Sequence, residues 1–196
     1  MMKAQRPDPP QWLSTKCQRW GQRYEQRMSV NPGAPFSWPQ HGRQKINRLL
    51  LPLLRQMTND HCAFCDIFQM VAEIRETIEH FKPKSQYPRE AFQWENLFLC
   101  CDKCQGAKQE LFDPLLLKPD EVEYEFAHYF IFKFSSGELQ PNPTASPLDQ
   151  QRAVMTITLY GLNEGERPQA RKRVFASYCQ SANPDLSLFS YRFMFL

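Results

Sequence analysis

The spacing of apolar and polar residues divides the chain into a few predicted elements. The stretch QWLSTKCQRWGQRYEQRM at 11–28 reads as a first helix, stopped by the turn-forming NPGAPFSWP. Ile46, Leu49, Leu50, Leu53, Leu54 and Met57 recur on one helical face, so an amphipathic helix is expected there, with Pro52 as a kink point. In TIEHFKPKS, apolar Ile78 and Phe81 bracket two polar residues. This is the pattern of a strand sending Glu79 and His80 to opposite faces, one toward a metal and the other toward solvent or substrate. The segment YEFAHYFIFKFSSGELQPNP at 124–143 predicts a β-hairpin turning at Ser-Ser-Gly. Two helices follow, in PLDQQRAVMTITLYGL and RPQARKRVFASYCQ.

Composition narrows the class. With 196 residues, 42% of them hydrophobic, the chain can bury the core of one or two compact units. Its 16 prolines against 7 glycines favour short elements joined by stiff connections. No apolar run approaches the ~20 residues of a membrane span, and MMKAQRPDPPQW lacks the apolar core of a secretion signal. A soluble, cytoplasmic protein is expected. The net charge of +3 is unevenly spread, because residues 1–55 hold ten Lys/Arg against only Asp8 and Glu25. Interleaved with Trp12, Trp20, Tyr24 and Trp38, these cations suit phosphate contact and base stacking. A solvated helical face with aromatic anchors accounts for the same pattern.

Without an export signal, seven cysteines read as metal ligands more naturally than as a disulfide framework. Cys62 and Cys65 form one Cys-x-x-Cys pair; Cys101 and Cys104 form another. Each pair presents two thiolates to one tetrahedral zinc, and two such pairs about 35 residues apart are a far stronger signal than one. A buried, reduced quartet is the alternative. Cys17, Cys100 and Cys179 are left over and are expected to be reduced, buried and structural. Between the pairs, Glu79 offers a carboxylate for a divalent cation, and His80 offers an imidazole able to take a proton from water.

The Cys-x-x-Cys pair, the acidic-His strand, Asn96 five residues before the next pair and a polar residue directly after it together resemble the HNH endonuclease pattern. The wider run of CAFCD, IEHFKPKSQYPREAFQWENLFLCCDKCQGAK, FDPLLLKPDE, GELQPNP and TITLYGLN resembles the HNH subunits of Septu-type antiphage systems, the PtuB family. The resemblance covers most of residues 45–175.

What it implies is an α+β fold: a ββα-metal core with structural zinc, flanked by an N-terminal helical arm and a C-terminal hairpin-plus-helices region. The corresponding divisions are 1–44, 45–118 and 119–196. His80 matches the general base, Glu79 the acidic metal ligand and Asn96 the residue that braces the loop holding the base. The cysteine pairs match zinc knuckles. Gln105 stands where such proteins usually carry a His or Asn as second ligand to Mg²⁺ or Mn²⁺, a departure that keeps a hard oxygen but moves it by a methylene. Lys82, Lys84 and Lys108 are candidate phosphate contacts, each also explicable as a solvated cation. The implied partners are nucleic acid, DNA or RNA, a PtuA-type ATPase and, in some systems, a retron reverse transcriptase with its msDNA. The apolar C-terminus DLSLFSYRFMFL either packs back onto the core or docks into the ATPase.

Overall fold

The computed structural model describes residues 1–68, 70 and 74–195, and its secondary structure is mixed α and β. Helix α1 (Gln11–Val30) starts behind the proline-rich PDPP and buries Leu13, Gly21 and Tyr24. Gly21 is required by packing: a Cβ there would lie 2.2 Å from the carbonyl oxygen of Arg89. The helix therefore presses backbone to backbone on the turn at 88–90. A two-residue ribbon, β1 (Gln40–His41) and β2 (Gln44–Lys45), leads into α2 (Ile46–Thr58). That helix buries Ile46, Leu50, Leu54 and Met57, the face its periodicity defines, and carries Pro52 inside. It stops at Asn59, whose left-handed φ of 53° favours asparagine over most residues.

Centrally, β3 (Glu76–His80) pairs antiparallel with β4 (Leu97–Cys101), and α3 (Asp102–Lys108) follows without a gap. The register sets Glu79 opposite Phe98 and His80 opposite Leu97. All five residues of β4, LFLCC, are buried, so this strand shows a continuous apolar run rather than alternation.

Beyond the centre come α4 (Phe126–Tyr129), β5 (Phe130–Lys133), β6 (Glu138–Pro141), α5 (Pro147–Leu159) and α6 (Arg167–Gln180). The hairpin exists with its reversal at 134–137, but its first strand starts later than expected. Residues 126–129 form a helical turn that buries Phe126 and Tyr129 three apart, a spacing suited to one helical side. Arg171 of α6 is fully buried and ties that helix to the hairpin, donating to the carbonyls of Gly137 (2.6 Å) and Leu162 (2.8 Å) and to Asn163 Oδ1 (2.8 Å).

The apolar C-terminus packs back over residues 191–194, while Leu188 is exposed and residue 196 lies outside the described residues. Tyr191, Phe193 and Met194 are buried, Tyr191 N donates to Asp66 O (2.7 Å), and Arg192 Nη2 pairs with Asp66 Oδ1 (2.6 Å). Of the leftover cysteines, Cys100 is buried and Cys17 half-buried. Cys179 lies exposed on α6, contrary to the expectation for all three. Among the described residues, no helix is long and apolar enough to cross a membrane.

Candidate active site and metal centre

The four cysteines of the two pairs come together. Their Sγ atoms all lie within 4.8 Å of one another, and all four residues are buried. Local folding explains the convergence. The turn at 62–65 is closed by Asp66 N donating to Cys62 O (2.9 Å), and Ala63 N donates to Leu99 O (2.9 Å), fixing the turn to β4. Cys101 ends β4 and caps α3, its sulfur accepting from Cys104 N (3.4 Å), while Cys101 N donates to Cys62 Sγ (3.3 Å).

Four soft sulfurs at this spacing, fed by backbone N–H groups, fit zinc at a Zn–S distance of about 2.3 Å. Hydrogen bonds from Cys100 and Cys104 pull the Cys101 thiol down to about 5, while burial pushes Cys104 up. Cys100 stays outside the quartet and turns its sulfur toward the carbonyl of Cys101 (3.3 Å). Arg167 of α6 donates to Cys104 Sγ (3.3 Å) and to Tyr160 O (3.2 Å), placing a guanidinium against the cysteine cluster. No motif marks Arg167 in the sequence.

Beside α3, Glu79, His80, Pro83, Lys84, Gln105, Gln109 and Glu110 border a cavity of about 210 Å³. Glu79 leans toward α3, where Lys108 Nζ donates to its Oε1 (2.8 Å). His80 leans the other way, its ring stacked on Trp38 (5.4 Å) and met edge-on by Phe36 (5.3 Å). The two side chains thus diverge from β3, as the strand pattern predicts, but both are buried and neither faces open solvent. Because His80 ends the strand, both still reach one cavity.

The tautomer of His80 follows from its partner. Nε2 lies 3.0 Å from the carbonyl oxygen of Ala91, which can only accept, so Nε2 carries the proton and Nδ1 keeps its lone pair. Burial pushes the imidazole down to about 3, with the charge of Lys84 acting in the same direction. Burial pushes Glu79 up, and Lys108 opposes that shift.

Asn96 holds the loop that carries Ala91. Its Oδ1 accepts from Lys82 N (2.7 Å), and its Nδ2 donates to Lys82 O (3.0 Å) and Glu90 O (3.0 Å). Gln105 borders the cavity with Nε2 donating to Ile78 O (3.1 Å), which leaves its Oε1 for another partner. The three candidate lysines part company. Lys82 pairs with Glu90 (3.0 Å) on the loop, and Lys84 pairs with Glu110 (2.7 Å) at the cavity rim. Lys108 is fully buried behind Glu79 and also donates to His80 O (3.0 Å), a position closed to solvent and to a phosphate in this conformation. One signal for its burial is present in the sequence: it follows Cys104 by four residues, on the same face of α3.

In class, this is a small mixed α and β chain organised around a cysteine quartet that fits zinc, with a carboxylate and a neutral histidine sharing a cavity alongside. No family model matches the chain. It is similar to the Septu protein PtuB of Bacillus thuringiensis, at 28% identity over 108 residues. The match covers 55% of this chain and 37% of that protein, so the chain spans little more than a third of its relative's length.

Proposed function

We propose that the chain is a metal-dependent HNH-type nuclease that hydrolyses phosphodiester bonds, acting as the effector of a Septu-type antiphage system beside an ATPase. The observation that carries this reading is the arrangement of His80: proton on Nε2, carbonyl of Ala91 behind it, a lone pair left on Nδ1, and a cavity that His80 borders together with Glu79 and Gln105. Similarity to the Septu protein supports it.

A phosphodiester resists attack because its oxygens repel the nucleophile, so a base and compensating charge must both be supplied. In the proposed step His80 Nδ1 takes a proton from water, the water oxygen bonds to phosphorus, and the bond to the leaving oxygen breaks as that oxygen takes a proton from solvent water; His80 then returns its proton to solvent. Asn96 keeps the 82–91 loop, and with it the imidazole, in register. The oxygens of Glu79 and Gln105 are the hard donors that would hold Mg²⁺ or Mn²⁺, whose charge would stabilise the leaving oxygen. Lys84, at the rim, is the better placed of the candidate phosphate contacts; Lys108 acts on Glu79 instead.

A second reading is a zinc-knuckle nucleic-acid-binding or structural subunit whose catalysis is weak or depends on a partner. It is favoured by Lys108 Nζ standing at Glu79 Oε1, an oxygen that a catalytic cation would also use. The test is the purified zinc-loaded chain on plasmid DNA and on RNA, with or without added Mg²⁺, alone and with the ATPase, and with His80→Ala in parallel. Mg²⁺-dependent cleavage lost in His80→Ala supports the nuclease. Binding without cleavage in every combination overturns it in favour of the second reading.

A further inference from the structure

Lys16, Trp20, Arg23 and Arg27 stand at i, i+4, i+7 and i+11 of α1, one stripe along the helix. The stripe faces the segment at 37–40, and between them opens a cleft of about 350 Å³ bordered by Trp20, Arg23, Tyr24, Arg27, Pro39 and Phe92. A cleft of that size accommodates about one nucleotide. Its charge is uncompensated. The only carboxylate of α1, Glu25, is taken by Arg89 Nε at 2.6 Å, and Arg27 Nη2 donates to the carbonyl of Pro35 (3.0 Å). Among the described residues, no carboxylate lies within ion-pair distance of Arg23 or Arg27.

The cleft lies across one layer of aromatic rings from His80 of the candidate active site. Phe92, in its wall, follows Ala91, whose carbonyl orients His80. The ring of Phe36 stacks on Phe92 (5.6 Å) and meets His80 (5.3 Å), linking cleft and imidazole through one side chain.

Resting on the nuclease reading above, we propose that this cleft receives a nucleotide of single-stranded nucleic acid flanking the cleaved bond. Arg23 and Arg27 neutralise its phosphates, and its base packs against the half-buried ring of Trp20, which the buried Phe92 backs from inside. Arginines alternating with aromatic rings suit a strand whose charged backbone and flat bases alternate in the same way. A duplex keeps its bases paired and stacked, so it has no face to offer the rings.

The test uses the full-length His80→Ala chain in zinc-containing, magnesium-free buffer, so that binding is read without cleavage and the quartet stays loaded. The probes are fluorescent 12-mers of single-stranded DNA, single-stranded RNA and blunt duplex, with a poly-glutamate peptide as competitor. Arg23→Ala/Arg27→Ala should weaken single-strand binding about tenfold or more, and lower the slope of log affinity against log salt by about 1.4 for two lost phosphate contacts. Trp20→Ala should weaken binding about tenfold with the salt slope unchanged. Lys172→Ala/Arg173→Ala, a charge-matched change on exposed positions of α6, should leave binding unaltered. Preference for either sugar is compatible with the proposal and identifies the strand.

Three results would overturn it: unchanged affinity and salt slope in the double arginine variant, tighter binding of duplex than of single strand, or poly-glutamate displacing the strand at equal charge. Cleavage by the wild-type chain is measured separately. Cleavage with an inert cleft rejects this inference alone; strand binding in the cleft without cleavage under any condition rejects the nuclease reading.

Discussion

Replacing Lys108 with methionine removes one half of the ion pair between α3 and β3 while keeping similar side-chain volume. Lys108 is fully buried, the side chain of Glu79 is 4% exposed, and Nζ stands 2.8 Å from Oε1. Breaking such a pair leaves an uncompensated buried charge, at a cost of about 3–5 kcal/mol. Against a total stability of about 5–15 kcal/mol this is severe, and in a chain of this length it corresponds to a melting point lower by about 10 °C. Removing both charges should undo most of the damage, so Lys108→Met/Glu79→Gln should recover at least half of the loss.

The sign with pH is also determined. Burial raises the folded-state pKa of Glu79, and Lys108 opposes the shift, so the variant raises it further. Above the unfolded value near 4.5 the folded variant then binds a proton more readily than the unfolded chain does. Stability of Lys108→Met relative to wild type should therefore improve as pH falls from 7 toward 4.5. Urea melts of both variants in zinc-containing, magnesium-free buffer at pH 7 and pH 5 read all three quantities. A loss below about 1 kcal/mol at pH 7, or no recovery on adding Glu79→Gln, would refute the coupling.

Other outcomes follow from the same geometry. Elemental analysis should find one zinc per chain, and Cys62→Ser or Cys104→Ser should yield insoluble protein, since zinc contributes folding free energy on the order of 10 kcal/mol in small domains; soluble, active protein without zinc would contradict this. His80→Ala should slow cleavage by about 10² to 10⁴ while leaving zinc content unchanged. The folded-state pKa of His80 is depressed from 6.5 to about 3, so the chain without Mg²⁺ or Mn²⁺ should lose stability as pH falls through that window. His80→Gln should lose less, measured by urea midpoints at pH 4 and pH 7. Gln105→Ala should raise the Mg²⁺ and Mn²⁺ needed for half-maximal cleavage, with Gln105→His or Gln105→Asn restoring part of it; an unchanged midpoint in Gln105→Ala leaves Glu79 as the only side-chain ligand.

Periodicity carries α2, whose buried face is the apolar stripe; α5 and α6 are legible from the prolines at their starts and their helix-forming composition, since α6 buries only Arg171. Spacing carries the cysteine quartet, because two residues between sulfurs leave little choice of loop. The helical turn at 126–129 defeats a pattern reading. In YEFAHYF the aromatics fall at both strand and helix spacings, and only the burial of Phe126 and Tyr129 against the rest of the chain decides between them. Lys108 defeats it for a different reason: a lysine near a metal motif reads as a surface cation until the register of β3 sets Glu79 against α3. The contacts of Phe36 and Trp38 with His80 span more than forty residues and leave no local trace.

The two sides of the cavity rest on separate supports. The zinc-fitting quartet fixes the end of β4 and the start of α3, and through α3 it sets Lys108 and hence Glu79. His80 depends instead on the 82–91 loop, which Asn96 ties from within and α1 presses from outside at Gly21. A Cβ at position 21 would meet a backbone carbonyl at 2.2 Å, so Gly21→Ala must shift α1 or the loop. Because Ala91 lies in that loop, the shift loosens the hydrogen bond to His80 Nε2 while leaving the quartet untouched. Cleavage should fall with zinc content unchanged, whereas a cysteine variant should lose both together. Equal loss of zinc in Gly21→Ala would mean that the two supports are one.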